Sequence, residues 1–226
     1  MAKKHDTYRR FPTIRWVECV DSTNSECKKN ISDMDNLSVL SARTQTNGRG
    51  QHENTWSSAP GENLTFSIVL KFQSAALSDE GLEPMQAYDQ SVISEITSLS
   101  VVELLSSHGI QAKIKRPNDV YVDGKKICGM LIENAVRGEW MTYSIIGIGL
   151  NVNQRNFDVS LPNPTSMALL SSENDTAYNL EVLLEEFMEI FKQYLDRYCH
   201  IRGGYGRLHR LYCAQLVERV ITSSGQ

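Results

Sequence analysis

One polar segment, residues 45–56, carries side-chain types that can bind an anionic, planar ligand. It reads Gln-Thr-Asn-Gly-Arg-Gly-Gln-His-Glu-Asn-Thr-Trp and has no apolar residue before the closing tryptophan. The two glycines let backbone N–H groups approach an anion, Arg49 offers a two-pronged fork to a carboxylate or phosphate, and Trp56 supplies a stacking face. The segment predicts a loop that folds over a nucleotide or an acyl-adenylate, although by itself it is equally consistent with an ordinary polar surface loop.

A second segment, residues 115–133, places a lysine at the start of a strand. The Asp-Gly pair inside it lies between two β-rich runs and predicts a tight hairpin turn. Because side chains alternate along a strand, we expect Lys126 to share a face with every second residue after it, beginning with Cys128. A lysine that leads an otherwise apolar strand is costly unless its ammonium group meets an anion. Lys126 is therefore the candidate catalytic cation, and a solvated hairpin lysine fits Lys125 better.

A third segment, residues 143–153, reads as a buried strand with polar ends. Its sequence is Tyr-Ser-Ile-Ile-Gly-Ile-Gly-Leu-Asn-Val-Asn. Gly147 and Gly149 would leave room for a bicyclic ring and an adenylate beside the sheet, and Asn151 would face the phosphates or the base. The pattern leaves open that the glycines only mark a bulge or close packing of strands.

Together these segments resemble the catalytic domain of biotin–protein ligases. Residues 48–56 stand where that family has Gly-Arg-Gly-Arg-x-Gly-Arg-x-Trp, and residues 115–119 match its Lys-Trp-Pro-Asn-Asp. Residues 124–131 are similar to its Gly-Lys-Lys-(Ile/Leu)-x-Gly-Ile-Leu, and residues 21–24 to its Asp-Ser-Thr-Asn. Four ordered motifs at compatible spacings make the resemblance specific, and it extends over most of the chain.

The resemblance implies an ATP-dependent biotin–protein ligase. Such an enzyme uses ATP and Mg²⁺ to activate biotin as biotinoyl-5'-adenylate, and it then transfers biotin to one lysine of the biotin carboxyl-carrier domain of a carboxylase. The implied fold class is α+β, a mixed β-sheet with flanking helices, arranged as in class II aminoacyl-tRNA synthetases and biotin ligases.

The same resemblance assigns roles to individual residues. Lys126 and Arg49 are the catalytic cations, and Asp119 is the candidate Mg²⁺ ligand through the phosphates. Small hydroxyls and amides suit the ureido ring of biotin, which has one carbonyl and two N–H groups. The biotin-binding set is Ser22, Thr23, Asn24, Gln45, Arg49, Gly50, Gln51, Lys126 and Gly129. The set that binds ATP or the adenylate is Arg49, Trp56, Asn118, Lys126 and Asn151.

Four positions depart from the family pattern. Gln51 and Asn54 stand where the family often has arginine, Glu53 where it often has glycine, and Arg116 where it has tryptophan. The loop is less basic as a result, so we expect weaker retention of the adenylate intermediate. None of these changes alters Lys126, so we expect activity to survive.

Alternating strands and helices must position these groups. Thr23 and Glu26 fit a capping box that opens a short helix, and Gly109 fits the stop of a longer one. Helices are predicted at 23–30, at 85–108 with an amphipathic stripe, and at 180–198 with aromatic residues that pack in the core. Strands are predicted at 13–20, 38–43, 63–72, 112–116, 119–122, 125–136 and 143–152.

Composition excludes several classes of function. The 226-residue chain is 41% hydrophobic and 22% charged with a net charge of −4, so neither bulk nucleic-acid binding nor a membrane surface is indicated. Five cysteines without a Cys-x-x-Cys pair predict reduced thiols and a cytoplasmic protein. Cys199, His200, His209 and Cys213 match no common zinc module, and a helical tail with scattered thiols is the favoured interpretation.

The predicted organisation is a catalytic domain over residues 1–200, followed by a truncated or vestigial segment over residues 201–226. Because only about ten residues precede the first strand, we expect no N-terminal DNA-binding domain. Two alternatives stay open beside the biotin ligase. One is a lipoate ligase or octanoyltransferase of the same fold, with Cys128 as the candidate acyl-transfer nucleophile. The other is a non-catalytic biotin-binding relative. A homodimer is also left open.

Overall fold

The structure, a computed structural model, describes residues 13–52, 54–73, 82–171, 177–199 and 205–217. Its described strands form one sheet in the order β1-β2-β3-β7-β6-β5-β4. Only β1 and β2 run parallel among the described pairs. The predicted mixed sheet is therefore confirmed. The strands are β1 Ile14–Val20, β2 Val39–Gln45, β3 Leu64–Lys71, β4 Lys113–Lys115, β5 Asp119–Val122, β6 Lys125–Arg137 and β7 Trp140–Leu150.

Helices cover the two faces of the sheet unequally. The large apolar core lies under α2 and α4, and a smaller cluster around Cys27, Leu40, Val69 and Ile145 lies under α1 on the opposite face. The rest of that opposite face stays open and carries the cavity described below. The helices are α1 Thr23–Lys29, α2 Ser91–Ser107, α3 Met167–Leu170, α4 Leu180–Tyr198 and α5 Tyr205–Ala214, with a 3₁₀ turn at Ala87–Asp89.

The long helix α2 differs from its prediction in both its start and its environment. It begins at Ser91 instead of residue 85, and it is buried around most of its circumference instead of along one apolar stripe. Thr97, Ser98 and Ser100 are buried. Their burial is tolerated because each hydroxyl donates a hydrogen bond to the backbone carbonyl four residues earlier. Hydroxyls satisfied in this way let a polar helix face pack inside the protein. By contrast, the predicted helix at 180–198 coincides with α4 and is confirmed.

The start of α1 also departs from the predicted capping box. The residue before the helix is Ser22, and no side chain there caps the backbone. Thr23 lies inside the first turn, where its hydroxyl donates to Gln45 Oε1 at 3.2 Å. The hydroxyl that was expected to cap the helix is therefore committed to the neighbouring strand.

The β5–β6 hairpin confirms the predicted turn but corrects the predicted strand faces. Asp123 and Gly124 both have positive φ, at 48° and 75°, as a tight hairpin turn requires. Val120 pairs with Cys128, yet Tyr121 pairs with Lys126, so β6 carries one extra residue, a β-bulge. The bulge reverses the alternation. Lys126 therefore faces the same side as Gly129, while Cys128 lies in the core.

The segment after residue 200 is described at 205–217. Helix α5 buries Leu208 and Tyr212 in the core that α2 also lines, and Leu216 forms a bridge with Ile114 of β4. The predicted helical tail is thus confirmed, although His200 lies outside the described residues. The domain boundary at residue 200 stays a prediction. In the described ranges, no helix has the length and hydropathy that crossing a membrane would need.

Candidate active site

A cavity of about 660 Å³ lies on the open face of the sheet. Its volume is in the range of sites for small ligands. Every residue predicted for the site lines it, so the structure brings the whole predicted set together. These residues are Ser22, Thr23, Asn24, Gln45, Arg49, Gly50, Gln51, Trp56, Asn118, Asp119, Lys126, Gly129 and Asn151.

The bulge in β6 directs Lys126 into this cavity. Its Nζ lies 2.7 Å from Asp119 Oδ1 and 5.7 Å from the centre of the Trp56 ring. The contact between Lys126 and Asp119 is an ion pair, and its angles do not meet the geometry of a hydrogen bond. Lys126 thus has a fixed position, with a carboxylate as its present partner.

Arg49 also has a carboxylate partner in the cavity region. Its Nη1 and Nη2 donate to the two carboxylate oxygens of Glu133 at 3.1 and 3.0 Å, and Asn24 Nδ2 donates to Glu133 Oε2 at 2.9 Å. Burial tends to raise the pKa of Glu133, but the hydrogen bonds from Asn24 and Arg49 outweigh it, so the pKa lies below its ordinary value. Sequence reasoning missed Glu133. The available signal was a carboxylate that follows the apolar run of β6.

A hydrogen-bonded polar group forms one end of the cavity. Gln45 Oε1 accepts from the backbone N–H of Thr23 at 2.8 Å and from its hydroxyl. Ser67 Oγ lies 2.7 Å from Thr23 Oγ1 and 2.6 Å from Asn24 Oδ1. Ser67 is fully buried and was also missed, although a serine inside the apolar run of β3 could have indicated it. The network fixes side chains that can donate to and accept from a compact polar ligand.

Glycines make the floor of the cavity flat. A Cβ on Gly147 would lie 2.3 Å from Asn24 Oδ1, and a Cβ on Gly149 would lie 2.2 Å from the Trp56 indole. A Cβ on Gly129 would lie 3.0 Å from the same indole and 3.2 Å from Lys126 Nζ. In this structure the space above the glycines is filled by Asn24, Trp56 and Lys126 and is not left open for a ring as expected. A larger residue would displace these side chains, so the glycines fit their close approach as well as the strand packing.

Two buried polar atoms of the cavity have no partner in the described structure, Trp56 Nε1 and Asn151 Oδ1. Asp119 Oδ1 accepts no hydrogen bond either, but its charge is paired with Lys126. Asn151 Nδ2 donates to Thr165 O at 2.9 Å, and Asn118 Nδ2 donates to Met130 O, so the amide orientations are held. Unpaired buried polar groups are costly, and a bound polar ligand would satisfy them. Their convergence on one cavity indicates a binding site.

The cavity offers little to a metal ion held by protein alone. Within the described ranges, no three histidine, cysteine, aspartate or glutamate side chains come together as a metal site. Asp119 supplies a hard oxygen ligand, but Lys126 already neutralises it. Mg²⁺ commonly binds through one carboxylate together with substrate phosphates, and the residues present fit that arrangement only.

Comparison with known proteins places the chain in a family. The sequence profile described as "Biotin/lipoate A/B protein ligase family" matches residues 16–151, more than half of the chain. The chain is 28% identical over 211 residues to "Biotin--protein ligase 1, chloroplastic" of Arabidopsis thaliana, covering 91% of this chain and 53% of that protein. It is 30% identical over 164 residues to "Bifunctional ligase/repressor BirA" of Bacillus spizizenii, covering 70% of this chain and 46% of that protein. The chain thus spans about half the length of these relatives.

Solved structures agree with the sheet and helices described above. The biotin protein ligase of Aquifex aeolicus, solved in complex with biotin and ATP, superposes with a TM-score of 0.72 at 23% identity, covering 92% of this chain and 79% of that one. The Leishmania major biotin protein ligase, in complex with biotinyl-5-AMP, gives a TM-score of 0.67 at 19% identity, covering 96% and 88%. These likenesses confirm the predicted biotin ligase-like fold. With the sequence match, they lead to one conclusion: the chain belongs to the biotin/lipoate A/B protein ligase family.

Proposed function

We propose that the protein is an ATP-dependent biotin–protein ligase. The observation that carries the proposal is one cavity that brings the cations Lys126 and Arg49 together with the unpaired polar atoms of Trp56 and Asn151. Relatives named as biotin–protein ligases, one of them solved with biotin and ATP, support the choice of ligands. Biotin and ATP are thus the proposed substrates, and a biotin carboxyl-carrier domain is the proposed protein partner.

In the proposed first step, a biotin carboxylate oxygen attacks the α-phosphorus of ATP, and pyrophosphate leaves. Two anions approach each other, so the site has to supply positive charge where negative charge accumulates. Lys126 stands on a strand at the cavity wall and would bridge the carboxylate and the α-phosphate. Arg49 would bind the same anions through two N–H groups of its guanidinium. For this, Lys126 would first leave Asp119, and Arg49 would first leave Glu133.

The two ends of the cavity suit the two halves of the proposed intermediate. The network of Thr23, Gln45 and Ser67, with Ser22 and Asn24 beside it, would hold the ureido ring. At the other end, Trp56 offers a stacking face for adenine. The side-chain oxygen Oδ1 of Asn151 can accept a hydrogen bond from the amino group of adenine. Mg²⁺, when bound with ATP, supplies charge neutralisation on the phosphates, and Asp119 would be its protein ligand.

In the proposed second step, the amine of the carrier lysine attacks the acyl carbonyl carbon, and AMP leaves. The thiol chemistry of an octanoyltransferase has less support. Cys128 is fully buried in the core, where burial raises the pKa of its thiol and keeps it protonated. The cytoplasm is the proposed compartment, and a homodimer is the alternative to a single chain.

The proposal is tested by mass spectrometry of a biotin-carrier domain after incubation with the 226-residue chain, ATP and Mg²⁺. Parallel reactions contain biotin or lipoate. We expect one biotinoyl group on one lysine and no lipoyl group. If only a lipoyl group is attached to the carrier, the protein is a lipoate ligase instead. If the carrier stays unmodified in both reactions although the protein binds biotin, the protein is a non-catalytic biotin-binding relative.

A further prediction concerns retention of the intermediate. A charge-assisted hydrogen bond is worth roughly 1.5–3 kcal/mol, and Gln51 lines the cavity where the family often has arginine. We expect Gln51→Arg to slow dissociation of biotinoyl-adenylate by about 10-fold or more and to reduce stray acylation of bystander lysines, with the first chemical step nearly unchanged.

Release is measured by chasing labelled adenylate in the absence of acceptor. Gln111→Arg makes the same chemical change at an exposed position outside the cavity and serves as the control. Equal release rates for wild type and Gln51→Arg would mean that other groups retain the intermediate.

A further inference from the structure

Outside the cavity, Glu95 of α2 and His209 and Cys213 of α5 form a line of contacting side chains. Cys213 Sγ lies 3.4 Å from His209 Nε2, and His209 Nδ1 lies 2.7 Å from Glu95 Oε1. Glu95 is buried, and Cys213 is exposed. None of the three lines the cavity of the candidate active site. A thiol, an imidazole and a carboxylate in this order are the parts of an activated nucleophile.

The carboxylate determines which nitrogen of the imidazole is free. Glu95 accepts hydrogen bonds, so it favours the tautomer of His209 that carries its proton on Nδ1. Nε2 then has a lone pair directed at the Cys213 sulfur and can take the thiol proton. The thiolate that results is the reactive form of cysteine.

Two cations lie at this end of α5, and one of them, Arg116, contacts the thiol. Arg116 Nη2 lies 3.9 Å from Cys213 Sγ, and Lys113 Nζ lies 3.4 Å from the carbonyl oxygen of Ala214. The C-terminal end of α5 carries partial negative charge that disfavours a thiolate, and these two cations oppose that effect. An anionic reagent would be attracted to the same place. The charge around Cys213 therefore favours a ligand with carboxylate groups.

We propose that Cys213 is a modification site for anionic low-molecular-weight disulfides, with His209 as its base and Glu95 as the residue that positions the base. The thiol proton moves to His209 Nε2, and the Cys213 sulfur attacks one sulfur of the disulfide. The disulfide bond breaks as the mixed disulfide forms, and the released thiolate takes the proton from His209. Cys213 is oxidised, and half of the small disulfide is reduced.

Other cysteines of the chain provide an internal standard. Cys27 and Cys199 are held unreactive because burial raises the pKa of each thiol to about 12. Cys19 is exposed like Cys213, but in the described structure it has no histidine partner. The ratio of reaction rates at Cys213 and Cys19 therefore measures activation apart from exposure.

The test treats the full chain with glutathione disulfide, which is anionic, or cystamine, which is cationic, and follows each cysteine by peptide mass spectrometry. We expect Cys213 to react at least about 10-fold faster than Cys19 with glutathione disulfide, since a positioned base commonly gives that much or more. We also expect the ratio of the Cys213 rate to the Cys19 rate to be smaller with cystamine than with glutathione disulfide. Equal rates at the two cysteines would overturn the site, and a larger preference with cystamine would overturn the anionic ligand class.

Two histidine variants separate activation from structure. His209→Ala should lower the Cys213 rate about 10-fold and leave the Cys19 rate unchanged. His108→Ala removes the other described histidine–glutamate ion pair, with Glu186 at 2.8 Å, and should leave both rates unchanged. Glu95→Gln should lower the Cys213 rate without changing the Cys19 rate. An unchanged Cys213 rate in His209→Ala would contradict the proposal.

Discussion

Replacing Lys126 by alanine is expected to slow adenylate formation by about 100-fold or more, which corresponds to ~3 kcal/mol of lost transition-state stabilisation. Lys126 Nζ is held at the cavity wall between Asp119 and the Trp56 ring. No other lysine ammonium in the described structure has this ion pair with Asp119, so of the two proposed catalytic cations only Arg49 would remain to bind the reacting anions. Pyrophosphate release with biotin and ATP, in the absence of acceptor, measures the effect.

Lys125→Ala is the matched control for this prediction. Lys125 is exposed next to the hairpin turn and does not line the cavity. Its removal is expected to change the rate by less than about 2-fold, as for most surface substitutions. Similar rates for the two alanine variants would show that the bulge in β6 does not direct Lys126 as described.

The second large effect is expected from Gly149→Ala. The added Cβ would lie 2.2 Å from the Trp56 indole, which is far inside van der Waals contact, so the indole has to move away from the cavity floor. Aromatic stacking and the contacts around it are worth roughly 1–3 kcal/mol per base. We therefore expect ATP affinity to fall about 10- to 100-fold, measured by isothermal titration calorimetry.

Gly206→Ala serves as the control for added volume. Gly206 lies in α5, where the nearest atom to an added Cβ is 3.8 Å away, and alanine favours a helix over glycine. ATP affinity should be unchanged, with stability equal or slightly higher. If Gly149→Ala binds ATP as tightly as the wild type and keeps its fold by circular dichroism, Trp56 is not the nucleotide platform.

Side-chain chemistry made the site predictable to a large extent. The arginine and tryptophan of residues 48–56, the lysine after the hairpin turn and the paired glycines of β7 all line one cavity. Helix α4 was equally predictable, because its apolar residues recur at helical spacing over five turns.

Features that depend on tertiary pairing were not predictable. The bulge in β6 arises from the register between β5 and β6, which strict alternation of side chains cannot express. Ser67 is buried against Thr23 and Asn24, which are distant in sequence. The α2 hydroxyls bond locally, but their burial depends on packing of α2 against α4 and α5. Glu133 acquires its role only when the loop of Arg49 folds back across β6.

The two ion pairs Lys126–Asp119 and Arg49–Glu133 have a consequence for turnover. Because each of these two cations carries its own counter-ion, part of the positive charge of the cavity is neutralised, and in the proposed reaction anionic substrates would reach Lys126 and Arg49 by partner exchange. The same carboxylates can reclaim the cations as pyrophosphate and AMP leave. A site with identical cations and no resident carboxylates would hold anionic products more tightly, so in the proposed reaction Asp119 and Glu133 would favour product release as well as order the two cations.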